Sequence, residues 1–314
     1  MAILQTNNIF KTELSEGQHR LSPEEIHKVQ QVVYGITIDI TELCSELNIP
    51  YMLTGGTALG AVRHGGFIPW DDDIDVAMPR KDFECLLKLV EEKLGDKYYV
   101  LNWRTSENYP LMTTRICRRG TRFVDSPMRD VDSPLGVFLD MYVYDDIPDS
   151  GFLMKLQAWE AWFFSKLLIL RSIPRPYLAQ TGWKAKLITA VCIAVHHALK
   201  GLCISKRGLA SRCEKICRRY EGKNTKRMAF YPDTNPFWNV VEKAAFSPGL
   251  KLDFEGFKLV FPRTEHDILT YMYGDYMQMP PIEKRKTHYP YILDLGDGTV
   301  LSEETVTDRG MKKT

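Results

Sequence analysis

This chain of 314 residues lacks an excess of either charge, a long apolar run and a cysteine framework, and each absence removes a class of protein. Forty-one Lys and Arg stand against forty Asp and Glu, a net charge of +1. That balance gives no broad positive field of the kind that holds nucleic acid, so no nucleic-acid partner is expected and any phosphate binding must be local. The two most apolar stretches are 152–171 and 183–206. Lys155, Glu160 and Lys166 interrupt the first, and His196, His197 and Lys200 the second. Neither holds the roughly 20 uninterrupted apolar residues of a membrane span. The N-terminal MAILQTNNIFKTELSEG lacks the basic and apolar regions of a secretory signal, so a cytoplasmic location is expected. Seven scattered cysteines, an odd number, suit reduced thiols better than disulfides. Cys203, Cys213 and Cys217, although near His196 and His197, lack the short spacing of a zinc site. No internal repeat is visible, which excludes a solenoid. With 44% hydrophobic and 26% charged residues the chain is expected to fold as a globular body.

What is present begins with a helix that carries its own punctuation. Ser22-Pro23-Glu24-Glu25 reads as an N-cap, a proline in the first turn and a capping-box glutamate, and Asn48 with Pro50 stops the element after Leu47. Ile26, Val29, Val33, Ile36, Ile40, Leu43 and Leu47 recur at three- and four-residue steps and predict one apolar stripe packed on a sheet. Strands are expected at 51–53, 74–78, 98–103, 114–123 and 137–144, with a helix at 79–94. Long helices follow over 152–220, then a hairpin over 242–262 turning near Glu255-Gly256. The expected class is α+β. Its expected parts are a catalytic core at 1–150, a helical subdomain at 151–240, and a hairpin, helix and tail at 241–314 that complete the core.

The chemistry is concentrated between Leu53 and Met78. An apolar strand ends in Gly55-Gly56-Thr57 and runs into a short helix, a geometry in which glycines let backbone N–H groups approach phosphate oxygens; an ordinary strand-to-helix turn is the alternative. Asp71, Asp72, Asp73 and Asp75 then place four carboxylates within five residues. In a strand, Asp73 and Asp75 share one face while Ile74 and Val76 enter the core. Converging carboxylates repel and raise each other's pKa unless a cation is shared, and Mg²⁺, or Mn²⁺ in its place, suits oxygen ligands of this kind. A solvated acidic turn is the other reading, opposed by Ile68, Trp70, Ile74, Val76 and Met78. An EF-hand is disfavoured, since the loop lacks that motif's glycine and final glutamate. Asp140 is the lone charge in the apolar strand Val137–Tyr144, where an unpaired carboxylate would cost several kcal/mol, so either a nearby arginine or the same metal compensates it.

The run from Gly56 to Asp75, Gly-Thr-Ala-Leu-Gly-Ala-Val-Arg-His-Gly-Gly-Phe-Ile-Pro-Trp-Asp-Asp-Asp-Ile-Asp, resembles the signature of the LicD family, whose eukaryotic relatives include fukutin and the fukutin-related protein. Asp140 in Phe-Leu-Asp-Met is similar to the family's third acidic position, and Tyr273-Gly274-Asp275-Tyr276 with Pro280-Pro281 resembles its C-terminal signature. The resemblance spans residues 25–147 and 242–290 and leaves the helical middle unmatched. It implies a nucleotidyltransferase-type mixed sheet flanked by helices, with Asp73, Asp75 and Asp140 as metal ligands and catalytic groups. Gly55, Gly56 and Thr57 would lie on phosphate. Arg63 and His64 match family positions, with a phosphate contact or capping of the short helix as their two readings; Asp71 and Asp72 belong to the signature without an assigned role.

The activity so implied is magnesium-dependent transfer of phosphocholine from CDP-choline to a hydroxyl of a glycan or its lipid-linked precursor, releasing CMP. Ribitol phosphate or glycerol phosphate from other CDP-linked donors, attachment of the nucleotide itself, and a noncatalytic acidic binding module are the alternatives. A quaternary ammonium is best held against aromatic faces, and Trp70, Trp103, Tyr142 and Tyr144 lie near the acidic strands in the sequence. Tyr142 shares strand parity with Asp140 and is the first candidate for that contact. The aromatic and basic helices of 152–206 suit either core packing or a peripheral membrane contact at the inner face.

Overall fold

The computed structural model describes residues 20–301 except 126–127, 176–182, 247, 283–284 and 286. Its first helix, α1 (Pro23–Glu46), starts as its sequence demands: Ser22 Oγ accepts from the Glu25 amide at 3.2 Å, and Glu25 Oε2 accepts from the Ser22 amide at 2.8 Å. Ile26, Val29, Val33, Ile36, Ile40 and Leu43 are buried and α1 packs across two strands of the main sheet. Leu47, expected to continue the stripe, is 42% exposed, because the helix ends before it and Asn48 turns the chain with a φ of 54°.

The elements that follow are β1 (Met52–Leu53), α2 (Gly55–His64), β2 (Asp75–Pro79), α3 (Arg80–Leu94), β3 (Tyr98–Leu101), β4 (Thr114–Arg118), β5 (Arg122–Val124) and β6 (Phe138–Ile147). Then come α4 (Gly151–Ser172), α5 (Trp183–Gly201), α6 (Lys206–Cys217), β7 (Arg227–Ala229), β8 (Val240–Glu242), β9 (Leu250–Phe254), β10 (Phe257–Phe261), α7 (Glu265–Tyr273), β11 (Ile292–Asp294) and β12 (Val300–Leu301). The main sheet has the order β1-β2-β6-β4-β3, with β7 pairing with the far end of β6 and β8 with β7. It is mixed, since β2 and β6 run parallel while the other pairs are antiparallel. Helices surround it, so the fold class is α+β, as the element order predicts.

The strand expected over 114–123 is two strands. The chain turns at Gly120 (φ +76°), and β5 leaves the main sheet for a three-stranded one in the order β12-β11-β5. The hairpin β9–β10 turns where expected, with Glu255 and Gly256 at φ 51° and 84°. Its Glu255 amide donates to the Gly65 carbonyl (3.0 Å) and Glu255 Oε1 accepts from the Phe67 amide (3.0 Å), which pins the loop after α2. Helix α4 packs on α6 through Ala158, Ala161, Cys213, Ile216 and Cys217. Arg80 ties that layer to the sheet, bidentate on Asp145 (2.9 and 2.6 Å) and bonded to Glu214 of α6 (3.0 Å). All seven cysteines are free.

Candidate active site

Two separate pieces of backbone, the segment leading into β2 and the strand β6, bring the carboxylates together. In the parallel pair, Asp75 of β2 stands in register with Asp140 of β6, so their side chains occupy neighbouring positions on one face. Asp73 lies before the strand begins, as it does in the expected strand at 74–78. The extended chain nonetheless alternates, with Asp72, Ile74 and Val76 buried and Asp71, Asp73 and Asp75 half-buried on the other side. The ladder extends one step beyond the strand, since the Asp140 amide donates to the Ile74 carbonyl at 3.1 Å.

The glycine turn lies against this acidic strand. Gly55 has a φ of +59°, and a Cβ there would stand 2.8 Å from Asp75 Oδ2, so that the carboxylate would have to shift; one on Gly56 would stand 2.9 Å from Asp71 Oδ2. The Thr57 hydroxyl oxygen accepts from the Asp75 amide at 2.9 Å, and the Thr54 amide donates to the Asp75 carbonyl at 3.1 Å. The turn therefore fixes where the carboxylates sit. The Thr57 hydroxyl hydrogen is left to donate elsewhere.

Burial pushes Asp71 and Asp75 well above the usual carboxylate range, and the neighbouring carboxylates push further: Asp73 and Asp72 on Asp71, and Asp73, Asp140 and Asp71 on Asp75. Asp73 and Asp140 are also raised, chiefly by burial, with His288 and Arg115 respectively opposing the rise. Asp140 is compensated by an arginine, one of the two expected solutions. Arg115 Nε lies 3.2 Å from Asp140 Oδ1, and its guanidinium reaches Asp125 at 3.7 Å and stacks 3.6 Å from the centre of Phe138. Arg115 is the antiparallel register partner of Asp140 on β4. Among the described residues, no three His, Cys, Asp or Glu side chains close into a ready-made metal cluster.

The remaining expected residues divide. Asp72 is buried, pointing away from its neighbours to half-buried His288, whose Nδ1 lies 2.8 Å from Asp72 Oδ1. Burial would lower the His288 imidazole, but the charge and hydrogen bond of Asp72 hold it well above its ordinary value. Arg63 donates to the Tyr276 carbonyl (2.9 Å) and to His64 Nε2 (3.0 Å), so it ties α2 to the C-terminal signature. Burial and Arg63 both lower the His64 imidazole.

Of the four aromatics, Tyr144 is core, its hydroxyl bonded to Asn239. Trp70 carries Arg285 at 4.3 Å and Trp103 carries Arg104 at 5.4 Å from their ring centres. Tyr142 is half-buried and packs edge-on to Phe230 (5.1 Å); burial, then Asp75 and Asp140, raise its hydroxyl. The pairing of Arg115 with Asp140 had a partial sequence signal, since Asp140 is the lone charge between Val137 and Tyr144 and Arg115 lies between Thr114 and Ile116 in a strand that also carries Arg118. His288 had none, standing 216 residues from its partner.

Residues 48–130 match the family model described as "LicD/FKTN/FKRP, nucleotidyltransferase domain". The chain is 28% identical over 257 residues to the lipopolysaccharide cholinephosphotransferase LicD of Haemophilus influenzae, covering 79% of this chain and 89% of that protein. It is 46% identical over 78 residues to an uncharacterised protein of Rickettsia prowazekii, covering 24% and 28% of the two chains. The matched domain holds the glycine turn, Asp71, Asp72, Asp73, Asp75 and Arg115, and the longer match makes the chain similar to a LicD protein over most of its length.

Proposed function

We propose that this protein transfers phosphocholine from CDP-choline to a hydroxyl of a cell-surface glycan or of its lipid-linked precursor, releasing CMP. It is a phosphotransferase. The observation that carries the reading is the register of Asp75 against Asp140, with Asp73 close enough to act on Asp75 and the glycine turn lying against Asp75. These carboxylates are raised by burial and by one another, and Arg115 is the cation hydrogen-bonded to Asp140. An all-oxygen, anion-rich set of this kind fits a hard divalent cation. Mg²⁺, or Mn²⁺ in its place, held by Asp73, Asp75 and Asp140, would neutralise charge on the phosphate oxygens during transfer.

The protein's own groups supply positioning. Backbone N–H groups of Gly55 and Gly56 and the Thr57 hydroxyl hydrogen would donate to phosphate oxygens. Arg115 holds Asp140 Oδ1, which leaves Oδ2 to accept the acceptor hydroxyl's proton as its oxygen bonds to phosphorus and the bond to CMP breaks. The face of Tyr142 is the surface offered to a quaternary ammonium. Such an acceptor, if lipid-linked, is met at the cytoplasmic face of a membrane, where we place the enzyme.

Mass spectrometry of products from CDP-choline, CDP-ribitol and CDP-glycerol with a glycan acceptor tests this. CMP release with phosphocholine on the acceptor, abolished in Asp73→Asn and Asp75→Asn at saturating magnesium, is the expected result. Nucleotide attached to the acceptor, or a preference for an alditol donor, would replace the reading.

A further inference from the structure

The helical layer between β6 and β7 has a charge the whole chain conceals. From Ala161 to Cys213 there is no Asp or Glu and there are nine Lys and Arg, so this stretch carries +9 and the remainder of the chain −8. Helix α5, at its centre, is apolar over most of its length, yet His196 is buried and no aliphatic side chain of it is. Leu187 and Val191 are 57% and 53% exposed, one turn apart on the same face, and Leu202 just past the helix end is 73% exposed. A helix of this composition ordinarily buries its apolar face in a core.

A cavity of about 520 Å³ opens at the end of that helix, lined by Arg171 of α4, His196 and Lys200 of α5, and Lys206 of α6, with Glu107 as the one acidic group on its wall. Arg171 is fixed by a bond to the Ile204 carbonyl (2.9 Å), Lys206 by Asn108 (2.7 Å), and His196 by the Leu170 carbonyl (2.8 Å). Burial lowers the Lys206 ammonium, Arg171 and Lys200 lower it further and Glu107 opposes them, so three cations stand close together around one carboxylate. Close cations that repel one another are relieved by an anion.

We propose that α5 lies in the surface of an anionic membrane, with a phosphate head group seated in the cavity formed by Arg171, His196, Lys200 and Lys206. Exposed aliphatic residues on a helix free of acidic groups are the composition of an interfacial helix. A second copy of this chain is the wrong occupant, because it would bring a second acid-free basic segment onto the first. Nucleic acid is opposed by the aliphatic face. The inference goes beyond the proposed transfer reaction and holds whichever group is transferred.

Vesicle flotation of the full chain tests it, using phosphatidylcholine alone and phosphatidylcholine with about one-third phosphatidylglycerol, an anionic surface that attracts Lys and Arg. The protein is expected to float with the anionic vesicles and to stay behind with the neutral ones. Arg171→Gln with Lys200→Gln should weaken anionic-vesicle binding roughly twenty- to thirtyfold, from two lost cations. Leu187→Ser with Val191→Ser should weaken it about tenfold or more through lost apolar insertion. These residues lie outside the acidic centre, so CDP-choline binding should be unchanged, and each variant is compared at a temperature where it is folded because Arg171→Gln loses the bond to the Ile204 carbonyl.

Inorganic phosphate separates the sources of the anion. Competition with the vesicles supports the cavity, whereas phosphate binding without any vesicle binding overturns the membrane assignment. Equal binding to neutral and anionic vesicles, unaltered binding by both double variants, preferred binding of an RNA or DNA duplex, or a dimer dissolved by the Leu187/Val191 variant without effect on vesicles would each overturn it as well.

Discussion

Replacing Gly55 by alanine separates backbone strain from damage to the acidic centre, because a second glycine of the same helix supplies the control. Gly55 begins α2 at φ +59° and Gly65 ends it at φ +70°. An L-residue in that region costs about 1–2 kcal/mol, so Gly55→Ala and Gly65→Ala should lose similar stability. That corresponds to a melting-temperature fall of roughly 1.5–3 °C for a chain of this size. The two sites differ in what the new methyl meets. At Gly65 there is nothing within 4 Å, whereas at Gly55 it stands 2.8 Å from Asp75 Oδ2 and ordinary contact begins at 3.4 Å. The carboxylate must therefore retreat by about 0.6 Å, the difference between those two distances. Displacements approaching 1 Å in a positioned catalytic group cost up to roughly a hundredfold in rate, so a ten- to hundredfold loss of CMP release is expected for Gly55→Ala. Gly65→Ala should keep nearly full turnover at temperatures where both variants are folded. Equal activity in the two, with equal melting temperatures, would refute the claim that the glycine turn sets the position of Asp75.

Three further outcomes follow from the buried charges and the aromatic wall. Arg115→Met removes the cation from between Asp140 and Asp125 and should cost about 3–5 kcal/mol in urea unfolding, while Asp140→Asn should cost less because Asp125 remains 3.7 Å from Arg115. An Arg115→Met protein with the parent's urea midpoint would show that these charges are not sealed from water. His288→Gln should destabilise by about 1–3 kcal/mol, leaving Asp72 without its ionic partner; the 37% exposure of the His288 side chain keeps the cost below that of a fully sealed pair. If that variant melts with the parent, the pair does not clasp the C-terminal segment to the acidic loop. Tyr142→Leu should raise KM for CDP-choline roughly two- to thirtyfold while Tyr142→Phe does not, since a cation is attracted by the ring face and not by the hydroxyl. An equal KM in all three proteins would remove Tyr142 from the donor site.

Local chemistry made several features legible before any tertiary contact was known. The capping box at Ser22–Glu25 is written within four residues, because the groups that satisfy the first helical amides come from the same turn. The hairpin tip at Glu255-Gly256 and the alternation of Asp71, Asp73 and Asp75 with buried neighbours are set by backbone dihedrals and a two-residue period. The apolar surroundings of Asp140 announced that something must compensate it. Which group does so was a matter of register: only the pairing of β4 with β6 sets Arg115 opposite Asp140, and only the parallel pairing of β2 with β6 sets Asp75 beside it. The break at Gly120, the union of Asp72 with His288 and the demotion of Tyr144 from ligand contact to core likewise came from tertiary closure. Such pairings join residues far apart in the chain, and no dihedral preference or hydrophobic period within either segment carries information about the other. For α5 the sequence determined an apolar, acid-free helix, and the tertiary structure decided that, among the described residues, none of its aliphatic side chains is buried in a core.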